Sequence, residues 1–428
     1  MDPNRPSSPG MLILNQKNSN QLLKLVEGLY PTAIKLDLDR LKILLARLDH
    51  PETKLGSIIH VAGTNGKGST SSMIRAMLEA HGRRVDAYHS PHLVSFHERI
   101  IINGAPIGEE ELVASLEHML ACNDGAPITF FEATTATAFH AFETYGPADH
   151  VLLEVGLGGR LDATNIVVGP GLSVITRISK DHMEYLGDDI LGIAFEKYGI
   201  TRRERPLIIG PQRPEVADYL CGKAKDDGLT FFAHGRDFAW DNNIYQDAHG
   251  SLDLSVTPLA GRHQWENAAT ACASLRLGLG LCDPDLLHAG LANTKWPARL
   301  QDITDDLNKS FGTSFPHILL DCGHNEDAGR VMAEYLSTYD QRCSMILGLQ
   351  PHKDAPGYLA HVASYLDKLI QVPADIGLPV NDMAHDVPSQ TLGSWEEAVR
   401  LLYQEKPQAP LVLCGSLYLA GLILKKIS

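Results

Sequence analysis

A chain of 428 residues exceeds what one ordinary hydrophobic core supports and predicts two or three domains. With 44% hydrophobic and 21% charged residues it has the make-up of a soluble globular protein, and it lacks the apolar run of about 18 residues that a membrane span needs. A net charge of -15 disfavours nucleic acid as a partner, and seven scattered cysteines without a CxxC pair argue against a disulfide scaffold or structural zinc and for the cytoplasm.

The opening MDPNRPSSPG is polar and proline-rich, and residues 1–20 read as a disordered lead-in. Apolar residues at three- and four-residue spacing then predict helices over 21–29 and 36–48, joined by a turn, YPTAIKLDLDR, that can close over a ligand. Next comes IIHVAGTNGKGSTSSMIRAML. Its apolar run reads as a doubly buried strand, and Met73, Ile74, Met77 and Leu78 recur at helical spacing. Between strand and helix, Gly63, Gly66 and Gly68 let backbone N–H groups turn towards an anion, the helix dipole favours negative charge, and Lys67 adds a cation. Ser69 and Thr70 offer hydroxyls to a phosphate-bound magnesium. The spacing departs from the usual phosphate loop, which places four residues between its first glycine and the Gly-Lys pair, where this chain has two.

A second strand over 84–88 leads into Ser90-Pro91-His92, a rigid turn at a strand end, followed by a hairpin over 99–106 and helices over 109–120 and 128–142, the latter opening on Thr129 and Glu132. The strand 150–155 delivers Glu154 to its end, and the strand 172–178 delivers His182 just beyond its own. A carboxylate, an imidazole and the Ser90 hydroxyl beside a phosphate loop are donors suited to a divalent cation. A helix over 190–200 carries Lys197, which on spacing alone reads as solvated or ion-paired. A β-rich stretch with a helix over 214–226 precedes the strong helix of HQWENAATACASLRL, whose first turn holds Asn267.

The Trp-Pro-Ala turn of LANTKWPARLQ marks a domain junction, giving domains over 21–296 and 297–428. From Phe315 onwards strands and helices alternate: strand 317–321, helix 327–337, a strand at CSMILGL, helix 356–366, strand 368–372, helix 394–402, strand 410–416 and a last helix. That alternation predicts a second, mostly parallel sheet, with Asp321, His324 and Asn325 at the end of its first strand and Ser416 at the end of its last.

The blocks GTNGKGST, SPHLVSFHERI, FFEATTA, LLEVGLGGRLDATN, DHMEYLGD, EKYGI, HQWENAA, WPARLQ, DCGHN and CGSLYLAG, in that order, resemble the folylpolyglutamate synthase/dihydrofolate synthase family of the Mur ligase superfamily. The resemblance implies an α/β fold, with a phosphate-loop ATP-binding domain and a smaller Rossmann-like C-terminal domain. It also implies ATP-dependent ligation of L-glutamate to dihydropteroate and to reduced folates through an acyl phosphate, with ATP and Mg2+ required and a monomeric, cytoplasmic protein. By the same resemblance, Thr64, Asn65, Gly66, Lys67, Gly68 and Ser69 hold the ATP phosphates, and Asn267, Arg299 and Asp321 contact the nucleotide. Ser90, Glu154 and His182 match metal ligands, joined by Lys197 if it is carbamylated. Ile34, Lys35, Leu36, Thr129, Leu161, Asp162 and Ala163 match the pterin side, and Asp321, His324 and Ser416 the glutamate side; Lys67, His182, Lys197, Asp321 and His324 carry the chemistry. Lys35 stands where the family usually has aspartate, so a different carboxylate acceptor is the alternative that this departure raises. A nucleotide-driven switch is disfavoured by the intact Asp321/His324 pair.

Overall fold

The computed structural model of the protein describes residues 18–30, 37–145, 148–375 and 387–428. Its first sheet comprises β1 (Ser57–Ala62), β2 (Val85–Tyr88), β3 (Ile100–Ile102), β4 (Ala105–Pro106), β5 (His150–Glu154), β6 (Gly171–Ile175), β7 (Leu207–Ile209) and β8 (Phe231–Ala233), in the spatial order β4-β3-β2-β5-β1-β6-β7-β8. Strands β2, β5, β1, β6, β7 and β8 run parallel. Strands β3 and β4 close one edge as an antiparallel hairpin, whose turn residues Asn103 and Gly104 both have positive φ, as a two-residue type I′ turn requires.

Strand β1 is central, and alternation along it explains why. Ile58 packs into the layer formed with helix Phe130–Thr144, while Ile59 and Val61 pack into the opposite layer with Met73, Ile74, Met77 and Leu78 of helix Lys67–Ala80. Each of these fully buried chains contributes about 1.5–3 kcal/mol of transfer free energy. The second layer is completed by a meander, β9 (Phe238–Asp241), β10 (Ile244–Asp247) and β11 (Gly250–Asp253), which lays Tyr245 and Leu252 against helix Arg262–Ala273.

The second sheet contains β12 (Gln301–Asp302), β13 (Ile318–Leu320), β14 (Cys343–Leu347), β15 (Leu366–Gln371), β16 (Ser389–Thr391) and β17 (Leu411–Cys414), ordered β12-β13-β17-β14-β15-β16, parallel except for β12. Separate apolar clusters cover its two faces. The α/β fold with two such bodies agrees with expectation. Three elements were not expected: the edge strands β12 and β16, and helix Thr304–Phe311, in which Leu307 is the one buried residue. The helix expected over 356–366 ends at Val362, because Ala363–Tyr365 tightens into a 3-10 turn, and the following strand starts at Leu366 rather than 368.

Candidate active site

The C-terminal ends of β1, β5 and β6, three adjacent parallel strands, open on one cleft of about 230 Å³, and the loop after β13 of the second sheet faces them across it. This is the edge where open α/β sheets bind ligands. Strand β1 runs into Gly63, and Gly66 takes a left-handed conformation (φ 85°) that starts helix Lys67–Ala80. The N–H groups of Thr64 and Asn65 are spent on the Arg177 carbonyl, at 2.8 and 3.1 Å. Those of Lys67, Gly68 and Ser69, in the first helical turn, lack an intrahelical partner and face an anion site. Lys67 Nζ folds back onto the carbonyls of Gly63 and Thr64, both at 3.2 Å, a resting place that a phosphate oxygen can replace. Ser69 lines the cleft, whereas the Thr70 hydroxyl is buried against Asn267 Oδ1 at 3.5 Å. Asn267 also lies against Gly66, where an added Cβ would meet its Oδ1 at 2.2 Å, so loop and helix Arg262–Ala273 fit closely.

Ser90 and Glu154 line the same cleft as Lys67 and His182. Glu154 is buried, and its Oε2 accepts from His89 Nδ1 at 3.3 Å. His182 has positive φ (52°), its N–H donates to Asp181 Oδ1 at 2.9 Å, and burial pushes its imidazole down to about 4, so the ring is neutral and able to ligate. No three His, Cys, Asp or Glu side chains form a metal cage among the described residues. A magnesium site needs less, since one or two protein oxygens completed by phosphate and water oxygens suffice, and the Ser90, Glu154 and His182 donor set fits that pattern.

Lys197 departs from its plain reading. It is neither solvated nor ion-paired: helix Ile190–Tyr198 and the Gly156–Gly158 turn enclose it in a side pocket of about 30 Å³, whose lining shares Thr64, Lys67, Gly156, Asp181 and His182 with the main cleft. Burial, with Lys67 nearby, pushes its ammonium down to about 7.

On the far wall, Asp321 accepts from the N–H groups of Leu300 at 3.0 Å and Gly323 at 2.7 Å. Burial raises its carboxyl, an effect partly offset by the Arg299 guanidinium. Arg299 and His324 line the cleft beside it. His324 Nε2 lies 3.5 Å from Asp181 Oδ2, so the two sheets meet through these residues.

Other expected site residues lie elsewhere. Thr129 caps helix Phe130–Thr144 and donates from its hydroxyl to Glu132 at 2.7 Å, and Glu132 in turn holds Arg40. Asp162 is fully engaged within its own turn, accepting from Gly156 N, Leu157 N and both the N–H and hydroxyl of Thr164. Ser416 caps the last helix and donates to the Ala374 carbonyl at 3.2 Å. None of these, nor Leu161 or Ala163, is among the residues lining the cleft. Ile34, Lys35 and Leu36 lie outside the described residues.

Sequence reasoning missed four residues of this region. Asp181 takes Lys353 Nζ at 2.7 Å from the second body, and those contacts with Lys353 and the two histidines hold its carboxyl far below the ordinary range. Arg177 pairs with Asp327 at 3.1 Å and Glu266 at 3.2 Å. Trp296 covers Gly68, where an added Cβ would lie 2.4 Å from the indole. His89 stacks edge-on against the same indole, with centroids 5.1 Å apart. The one local signal was proximity in the chain to the motif residues.

Residues 61–275 match the family described as Mur ligase middle domain. The folylpolyglutamate synthase of Lacticaseibacillus casei is 31% identical over 90% of this chain and 92% of its own length. The dihydrofolate synthase/folylpolyglutamate synthase of Bacillus subtilis (strain 168) is 31% identical over 94% of this chain and 97% of its own. Among solved structures, E. coli FolC in complex with DHPP and ADP is similar with a TM-score of 0.83 at 29% identity, covering 96% of this chain and 97% of that one.

Proposed function

The chain belongs to the dihydrofolate synthase/folylpolyglutamate synthase family of Mur ligases, and from that premise we propose that its cleft joins L-glutamate to dihydropteroate and to tetrahydrofolates, driven by ATP. The protein is an ATP-dependent acid–amino-acid ligase. The observation that carries the reading is the convergence of a phosphate loop, Glu154 and His182 from one sheet with Arg299, Asp321 and His324 at the other on a single cleft.

A carboxylate is a poor acyl donor because its leaving group would be oxide. Transfer of the ATP γ-phosphoryl group to a carboxylate oxygen of the acceptor, with ADP leaving, makes an acyl phosphate. The neutral α-amino group of glutamate then attacks the carbonyl carbon, and the tetrahedral intermediate loses a proton and expels phosphate to leave an amide. Lys67 and the N–H groups of Lys67, Gly68 and Ser69 hold the phosphates in line and neutralise their charge, which is most of what such a transfer demands. Asn267, Arg299 and Asp321 hold the nucleotide. Ser90, Glu154 and His182 hold magnesium, which when bound neutralises charge on the phosphates. Asp321 and His324, with Ser416 behind them, receive glutamate, and Thr129 and residues 161–163, with residues 34–36, receive the pterin end.

Lys197 fits a further role in that set. An amine pushed down to about 7 is substantially unprotonated at neutral pH. Its lone pair can add to carbon dioxide, losing a proton and leaving a carbamate that turns a buried cation into an anion beside Lys67. We further assign the domains to residues 21–296 and 297–428. The chain works as a monomer, since every assigned residue comes from one chain, and in the cytoplasm, in keeping with seven cysteines that form no disulfide. No helix among the described residues is long and apolar enough to cross a membrane.

The test is phosphate release from magnesium-ATP with L-glutamate, adding dihydropteroate or tetrahydrofolate separately. Release with each acceptor, with a mass gain of one glutamyl unit, is expected. Absence of release with both, in protein that binds ATP, overturns the folate reading.

A further inference from the structure

We propose that His89 is a positioning residue for the divalent cation: it aims the Glu154 carboxylate, and Trp296 holds His89 in place. The proposal rests on the assignment of Glu154 to the metal site.

Glu154 is delivered by the end of β5 and His89 by the end of its neighbour β2, and both side chains are about 95% buried. A carboxylate taken out of water needs donors. The hydrogen bond that Glu154 makes is from His89 Nδ1 to Oε2, which leaves Oε1 as the oxygen presented to the cleft. Because a carboxylate can only accept, His89 must carry its proton on Nδ1, so the pairing also selects the ring's tautomer.

What holds the ring is visible on its other side. The His89 N–H donates to the Arg99 carbonyl at 2.8 Å, tying its backbone to the next strand. Its imidazole meets the edge of Trp296, and that indole is itself pressed onto Gly68 in the first turn of the phosphate-loop helix. Ser72 Oγ of the same helix donates to the Lys295 carbonyl at 2.9 Å, which staples the linker bearing Trp296. The order of contact is thus linker, indole, imidazole, carboxylate. Partners that orient a metal-ligating group typically alter metal affinity by about 10–100-fold when removed. Ser90, the residue after His89, lines the cleft, so one short segment supplies a ligand and the group that orients another.

The experiment measures Mn2+ binding to the full-length protein in the presence of saturating ADP, by electron paramagnetic resonance of free Mn2+, for wild type, Glu154→Gln, His89→Leu and His89→Asn. The leucine fills the space against Trp296 but donates nothing, whereas the asparagine Nδ2 sits close to where Nδ1 was and restores the donor. We expect His89→Leu to weaken Mn2+ binding about tenfold or more, His89→Asn to stay within about threefold of wild type, and ADP affinity in EDTA to be the same in all three. Should His89→Leu fail to fold, His89→Ala takes its place with the same expected loss. Equal Mn2+ affinity in wild type and the leucine or alanine variant overturns the proposal, as does an equal loss in the asparagine variant, which would make the contact one of shape alone. If Glu154→Gln binds Mn2+ as wild type does, the metal assignment itself fails; if it loses binding while His89→Leu does not, His89 alone is wrongly assigned.

Discussion

Lys197 is where residue identity and residue environment part most sharply. A lysine next to a glutamate on a helix reads as a surface charge, and nothing in its spacing says otherwise. The burial comes from the Gly156–Gly158 turn and Leu186, which close over it from distant parts of the chain. The depressed ammonium has a thermodynamic consequence with a definite sign. Above about 7 the folded lysine is neutral while the unfolded one keeps its proton up to its ordinary value of 10.5, so the unfolded state binds more protons across that window and stability rises with pH. Below the window both states are protonated, and the cost of burying the cation is fully present. In carbon-dioxide-free buffer with EDTA, urea denaturation should therefore show wild type gaining on Lys197→Met by up to about 1.4 kcal/mol per pH unit between 7 and 10; a difference that stays flat would mean the amine is not buried as a free base. Asp162 teaches the converse lesson. Its place in the motif pointed to substrate, yet its carboxylate organises the turn that carries the motif.

At the scale of elements, the phosphate loop was legible because its requirements are local: a buried strand, glycines where backbone must approach, and a helix whose apolar residues repeat every three or four. What local rules could not give is the partner pressed against it. Gly68 is needed less for its backbone freedom than for the indole that takes the place of a side chain there. Gly68→Ala should thus lose most ATP-dependent activity, and Trp296→Ala should recover part of it in the double variant, with a coupling of about 0.5–3 kcal/mol in kcat/KM. Simple additivity of the two losses would show that the glycine serves only the phosphate. Short edge strands such as β16, exposed at all three residues, carry no periodic signal to read. Helix Trp395–Glu405, with Ala398, Val399 and Leu402 buried on one face, carries a strong one.

For the whole molecule, sequence patterns named the residues on each side of the cleft but not the contacts that bring the sides together. Those are long-range: Lys353 to Asp181, Asp327 to Arg177 and Ser179, and Asn325 Nδ2 to Asn65 Oδ1 at 3.0 Å. Removing one partner of such a buried charge pair leaves the other unpaired, at a cost of about 3–5 kcal/mol. Lys353→Met should lower kcat/KM for glutamate at least tenfold and raise the radius of gyration in small-angle scattering, while Lys353→Arg keeps both near wild type. An unchanged radius with unchanged kinetics would show that the pair does not hold the bodies together.

Arg177 reaches in both directions: its carbonyl takes the first two N–H groups of the phosphate loop, and its guanidinium takes Asp327 of the second body. When the bodies part, the loop loses the brace behind its amides at the same moment that the cleft admits water. An open molecule is therefore a poor hydrolase, and idle enzyme waiting for a scarce acceptor wastes little nucleotide.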